Sequence, residues 1–140
     1  MGEITLVRHG QANSAATNEA DYDRLTDLGH QQAAWLGHWI NTHDGVFDTV
    51  YSGTLRRQRE TVAGMGFSKV TEDARLNEIT YYDLAAEMDA KGLAAPRTGP
   101  DDFAVHFPAT LTAWRDGLIA GNETYAAFSD RVQAVINEAA

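Results

Sequence analysis

A chain of 140 residues, 44% hydrophobic and 22% charged, has the length of one globular domain and enough apolar material for a core. It holds no apolar run of membrane-spanning length and no basic-then-apolar leader, so no membrane partner is expected and a cytoplasmic location is the default. A formal charge of −9 argues against nucleic acid, which needs a broad basic face, and the absence of cysteine excludes disulfides, thiol chemistry and cysteine-built zinc sites.

Residues 3–8 are apolar and β-branched, and predict a strand buried on both faces. It runs into Arg8-His9-Gly10, followed by a polar loop over residues 10–24 without periodicity. Thr26 is a candidate N-cap, with Asp27 in the first turn favoured by the helix dipole. Leu28, Trp35, Leu36, Trp39 and Ile40 then mark one face of a helix ending near Asn41, with both tryptophans expected in the core. After a His43-Asp44-Gly45 turn, residues 46–52 predict a second strand. A helix from Leu55 to about Ala63 follows, ended by Gly64 and Gly66, and then a short strand around residues 69–71. This β-α-β-α-β alternation is the pattern of a parallel sheet with helices on its faces.

Residues 73–78 are expected along the carboxyl edge of that sheet. Residues 82–91 read as a helix, Gly92 to Pro100 as a loop, and residues 101–117 as a helical region broken at Pro108. Tyr125, Phe128, Val132, Val135 and Ile136 form an apolar stripe on a helix from about Glu123 to the last residue. His30, His38 and His43 are expected at the surface.

Ligands of open α/β sheets bind beyond the carboxyl ends of the strands. There Arg8 and His9 end the first strand, and Arg57 lies in the first turn after the second. Gly10 lets a ligand approach the backbone closely. Two guanidiniums match the geometry of a tetrahedral oxyanion, and the start of the Leu55 helix adds exposed N–H groups. With Glu78 after the third strand, the set points to phosphoryl transfer. Arg56 and Arg59 read as solvated helix cations.

Four segments in order carry a resemblance: Val7-Arg8-His9-Gly10-Gln11, residues 22–29 (Tyr-Asp-Arg-Leu-Thr-Asp-Leu-Gly), residues 51–61 (Tyr-Ser-Gly-Thr-Leu-Arg-Arg-Gln-Arg-Glu-Thr) and Leu76-Asn77-Glu78. The stretch from Tyr125 to Val132 extends the likeness to the end of the chain. The sequence resembles the histidine phosphatase superfamily, the phosphoglycerate mutase-like proteins. The resemblance implies a three-layer α/β/α fold with a mostly parallel central sheet. It implies a single domain over residues 1–140, with a cap-like insertion around 80–122 that carries Tyr81, Tyr82, Lys91 and Arg97 and selects the substrate. His9 is implied as the nucleophile that becomes phosphohistidine, Arg8 and Arg57 as the phosphate grip, and Glu78 as proton donor to the leaving oxygen. Neither metal nor cofactor is implied, and the substrate would be a small phosphorylated metabolite or a phosphoprotein.

The chain departs from the family at two places. Six residues after the nucleophile the family carries a phosphate-contacting asparagine; here that residue is Ala15, and Asn13 and Ser14 are the candidate substitutes. The family's second histidine, in a Ser/Thr-His-Gly-Gly stretch after a further strand, has no counterpart before Ala140, and His106 stands in a different context. The missing strand would lie beside residues 3–8. The sequence is therefore read as C-terminally incomplete, with a homodimer covering the open edge as the alternative. The expected activity is phosphoester hydrolysis through phosphohistidine. Its alternatives are mutase-type phosphoryl transfer and a non-catalytic phosphate-binding or regulatory module.

Overall fold

The structure is a computed structural model that describes residues 2–43 and 45–140. The turn expected at His43-Asp44-Gly45 includes Asp44, which lies outside the described residues. The elements in chain order are α1 (Glu19–Tyr22), α2 (Asp27–His43), β1 (Tyr51–Ser52), α3 (Arg56–Gly64), β2 (Thr71–Glu72), a 3-10 turn (Ala74–Leu76), α4 (Tyr81–Ala90), α5 (Asp102–Arg115) and α6 (Tyr125–Ala139). The fold is α/β, a small parallel sheet with flanking helices. β1 pairs with β2 in the register Tyr51 to Thr71 and Ser52 to Glu72. Among the described residues no helix is long and apolar enough to cross a membrane.

The chain forms two compact units. The first holds the described residues up to Glu78 together with Val135–Ala140, and the second is Ile79–Ala134. In the first, α2 opens on Thr26, whose Oγ1 accepts the Gly29 N–H at 3.1 Å, as the sequence predicts. Its buried stripe is Gly29, Ala33, Gly37 and Ile40, at helical spacing. The small residues let α3 approach so closely that a Cβ at position 37 would overlap the Met65 carbonyl. This corrects the expected core role of the tryptophans. Trp35 and Trp39 are 62% and 50% exposed, because close backbone packing, not aromatic volume, fills the seam between α2 and α3. Trp39 instead stacks on His43, with ring centroids 4.8 Å apart.

Residues 3–8 are a second correction. They make no ladder with any described residue, and Leu6 is 76% exposed. β-branched composition favours extended backbone, but a strand also needs a neighbour at hydrogen-bonding distance, and β1 pairs only with β2. For the same reason the second strand is Tyr51–Ser52 alone; the Val50 carbonyl still accepts the Thr71 N–H at 2.9 Å, and residues 46–49 lie outside the ladder. The loop over residues 10–24 holds the one-turn helix α1, capped by Asn18, whose Oδ1 accepts the Asp21 N–H at 2.9 Å.

The second unit packs α4 on α5 around Leu84, Met88, Ala113, Trp114 and Ile119. α5 runs unbroken through Pro108, contrary to the sequence reading. A proline inside a helix costs about 3 kcal/mol, yet here the helix continues because His106, Thr110, Ala113 and Trp114 on either side bury one face. α6 starts two residues later than expected, and only Val135 of its predicted stripe is fully buried.

Candidate functional site

The site is built from three chain segments of the first unit that converge on α3. The segment ending in His9 is tied down by Thr61 on α3. Its Oγ1 accepts the Gly10 N–H at 3.0 Å and donates to the Arg57 carbonyl at 2.7 Å. Gly10 is buried against the backbone of Gly29, where a Cβ would overlap the Gly29 carbonyl. Its lack of a side chain thus permits close packing on α2. The segment after β2 is fixed by Asn77. Its Oδ1 accepts the Thr54 N–H at 2.7 Å, and its Nδ2 donates to Thr54 Oγ1 at 2.9 Å. Glu78 is the next residue along.

These anchors bring His9, Glu78 and Arg57 together. The His9 side chain is almost fully buried, and its Nδ1 lies 2.6 Å from the Gly10 carbonyl. A carbonyl only accepts, so that contact assigns a proton to Nδ1 and leaves Nε2 as the nitrogen that faces the carboxylate. Nε2 faces Glu78 Oε2 at 3.0 Å. The same oxygen accepts from Arg57 Nε at 3.2 Å. Burial pushes the Glu78 carboxyl up, but its hydrogen bond and charge interaction with His9, joined by those with Arg57, hold it below its ordinary value. Glu78 is therefore an anion that accepts the Nε2 hydrogen of His9.

Arg57 is 2% exposed and held on three sides. Nε meets Glu78, Nη1 donates to Asp23 Oδ1 at 3.2 Å, and the guanidinium carbon sits 4.9 Å from the centroid of the Tyr22 ring. Tyr22 also meets the His9 ring edge-on, with centroids 6.3 Å apart. Asp23 accepts the backbone N–H groups of Arg57 and Arg56, each at 3.0 Å. The start of α3 is accordingly already capped by a carboxylate. The sequence reading, in which these N–H groups stay open for a ligand anion, is corrected to that extent.

The remaining predicted residues stand apart. Arg8 is exposed, has no carboxylate partner among the described residues, and touches neither Arg57 nor Glu78. With His9, Gly10, Gln32, Ala33, Leu36 and Thr61 it lines a cavity of about 140 Å³. Asn13 donates its side-chain amide to the Asp21 carbonyl at 3.0 Å, which shapes the loop. Ser14 is exposed. Arg56 and Arg59 are surface cations paired with Glu60 and Glu72, at 2.6 Å and 2.7 Å. His106 is buried in the second unit, and its Nε2 has no partner among the described residues. Among the described residues, no three acidic or histidine side chains gather as a metal site.

Sequence reasoning gave no role to Tyr22, Asp23, Thr61 or Asn77. All four stand inside the matched segments, but Asp23 and Arg57 lie on different elements and no local period relates them.

The sequence model of the histidine phosphatase superfamily (branch 1) matches residues 4–140. Among curated proteins, the chain is 34% identical over 91 residues to a 2,3-bisphosphoglycerate-dependent phosphoglycerate mutase of Parvibaculum lavamentivorans; the match covers 59% of this chain and 43% of that protein. To enzymes of the same name it is 30% identical over 92 residues in Methylorubrum extorquens (strain PA1), and 33% identical over 94 residues in Allorhizobium ampelinum. These matches cover 59% and 60% of this chain, and 43% and 44% of those proteins, so the chain spans less than half the length of the curated relatives it matches. With the family model matching nearly from end to end, the chain belongs to branch 1 of the histidine phosphatase superfamily.

Proposed function

We propose that this chain carries the phosphoryl-accepting half of a phosphoester hydrolase, with His9 as nucleophile and Glu78 as acid and base. The observation that supports this most is the pairing of His9 Nε2 with Glu78 Oε2 at 3.0 Å while Nδ1 is engaged by a carbonyl. The Nε2 lone pair attacks phosphorus and the bond to the leaving oxygen breaks, with Glu78 supplying the proton that oxygen takes up. Water then attacks the phosphohistidine, Glu78 takes its proton, and the P–N bond breaks to release phosphate. Arg57 and Arg8 neutralise charge on the equatorial oxygens. The substrate is a small phosphorylated metabolite or a phosphoprotein, selected by residues 80–122.

The proton sequence requires Glu78 to be protonated when substrate is bound, although it is an anion without it. A phosphate dianion that takes over the Arg57 and His9 contacts supplies the change. It removes the cationic partners that hold the carboxyl down and adds a like charge beside it.

The leaving group tests this assignment. Hydrolysis of an alkyl phosphate, whose leaving oxygen needs a proton, is expected to fall about 10²- to 10⁴-fold in Glu78→Gln. Hydrolysis of a nitrophenyl phosphate, whose leaving group needs none, is expected to fall far less. Read as kcat/KM, which reports transfer to His9 and not the later attack of water, equal losses on both substrates would remove Glu78 as the acid.

The names of the curated relatives favour a second reading, mutase-type transfer in which phosphohistidine passes its phosphoryl group to a phosphoglycerate instead of water. Faster loss of a preformed phosphoryl adduct in the presence of phosphoglycerate, with transfer of the label, would select it.

A further inference from the structure

Asp23 is the residue at this site whose contacts exceed what a helix cap needs. One oxygen, Oδ1, accepts from two donors of a single residue, the Arg57 backbone N–H at 3.0 Å and its Nη1 at 3.2 Å. The other, Oδ2, accepts the Arg56 N–H at 3.0 Å. A shared acceptor locks the guanidinium to its own backbone. The Tyr22 ring bounds one face of that guanidinium, and Glu78 holds Nε. Nη2 is the one guanidinium nitrogen without a protein partner among the described residues.

We propose that Asp23 is a positioning residue for phosphate binding, fixing the Arg57 guanidinium to the first turn of α3 so that Nη2 stands ready for an incoming phosphate oxygen. The inference rests on the reading of Arg57 as the phosphate grip. An arginine side chain has many rotamers, and ordering it only on binding would weaken the grip. Asp23 orders it beforehand. When phosphate displaces Glu78 from Nε, the Asp23 contact keeps the guanidinium from following the departing carboxylate. The carboxylate also confines the cation's charge to the site, since a half-buried anion beside a buried guanidinium leaves little reason for the arginine to swing out to water.

Asp23→Asn removes the charge while its amide oxygen can still accept the Arg57 N–H; its Nδ2 cannot accept the Arg56 N–H, so the Tm comparison accounts for that lost cap bond. Two quantities are read in the whole chain: affinity for inorganic phosphate, and hydrogen-exchange protection of the Arg57 Nε–H signal, assigned by its loss in Arg57→Lys. Far-UV circular dichroism and Tm close to those of the unsubstituted chain establish that the fold persists. If Asp23→Asn misfolds, Asp23→Glu, which keeps the charge but shifts it by one methylene, carries the same two readouts. Asp23→Asn is expected to lower both protection and phosphate affinity about 10- to 100-fold, the scale of a misplaced site group. Adding it to Arg57→Lys is expected to cost nothing further, since its effect runs through that arginine.

Unchanged phosphate affinity, with or without lost protection, would overturn the proposal and leave Asp23 as a cap only. So would additive losses in the double variant. Failure of the catalytic reading looks different. In that case no phosphohistidine forms on the unsubstituted chain, while phosphate affinity still depends on Asp23 through Arg57.

Discussion

Glu78 and a phosphate dianion call on the same donors, His9 Nε2 and Arg57 Nε. That competition has a measurable proton balance. In the free chain Glu78 lies below its ordinary value, so it is ionised at neutral pH. Displacement by an anion raises it, so anion binding takes up a proton and tightens as pH falls. Sulfate, which does not titrate near neutrality, isolates the effect. Calorimetry of sulfate binding in buffers of different ionisation enthalpy should report net proton uptake, and Glu78→Gln should abolish it. Uptake that persists in Glu78→Gln would place the proton elsewhere. At this scale the sequence was informative about identity and not about contact. His9, Arg57 and Glu78 were legible because each stands in a matched segment. That Glu78 rests on His9, and that Asp23 and Tyr22 hold the arginine, depends on contacts between residues 21 to 69 positions apart in the chain.

At the scale of elements, the helices followed local rules and the strands did not. α2 begins at its Thr26 cap, and α3 ends at glycines, with Gly66 at φ +87°. Caps and glycines act within a turn, so sequence reports them directly. A strand exists only through its neighbour, and composition alone placed one at residues 3–8 where no ladder forms. The second unit contains a local device that sequence did not suggest. Glu87 on α4 pairs with Lys91 at 2.8 Å and accepts the Gly121 and Ala120 N–H groups at 2.8 and 3.2 Å. The Lys91 hydrogen bond and these backbone donors pull its carboxyl from 4.5 down to about 2. A depressed carboxylate contributes stability above its unfolded value and loses it as pH falls through the folded one. The stability gap between the unsubstituted chain and Glu87→Gln should therefore be full above about pH 4.5 and close as pH falls toward 2. Exchange at the Ala120 and Gly121 amides should rise in step. A gap that does not change with pH would remove Glu87 as its source.

At the scale of the whole molecule, a chain of net charge −9 buries an arginine between two carboxylates, Asp23 and Glu78. His9, Arg57, Glu78, Asp23 and Tyr22 all belong to the first compact unit. There the buried Arg57 is held beside His9, whose Nδ1 is engaged by a neighbouring carbonyl and whose Nε2 meets a carboxylate. The family rests on the match over residues 4–140, and the proposed chemistry on the hydrogen bonds around His9. The central claim is that His9 accepts a phosphoryl group. It is tested most directly by intact mass after incubation with phosphoramidate, quenched at alkaline pH, with His9→Ala and Arg57→Ala as controls. The account predicts a single phosphoryl adduct that is lost in acid, absent from His9→Ala and strongly reduced in Arg57→Ala. An adduct that survives in His9→Ala, or no adduct on the folded chain, would contradict it.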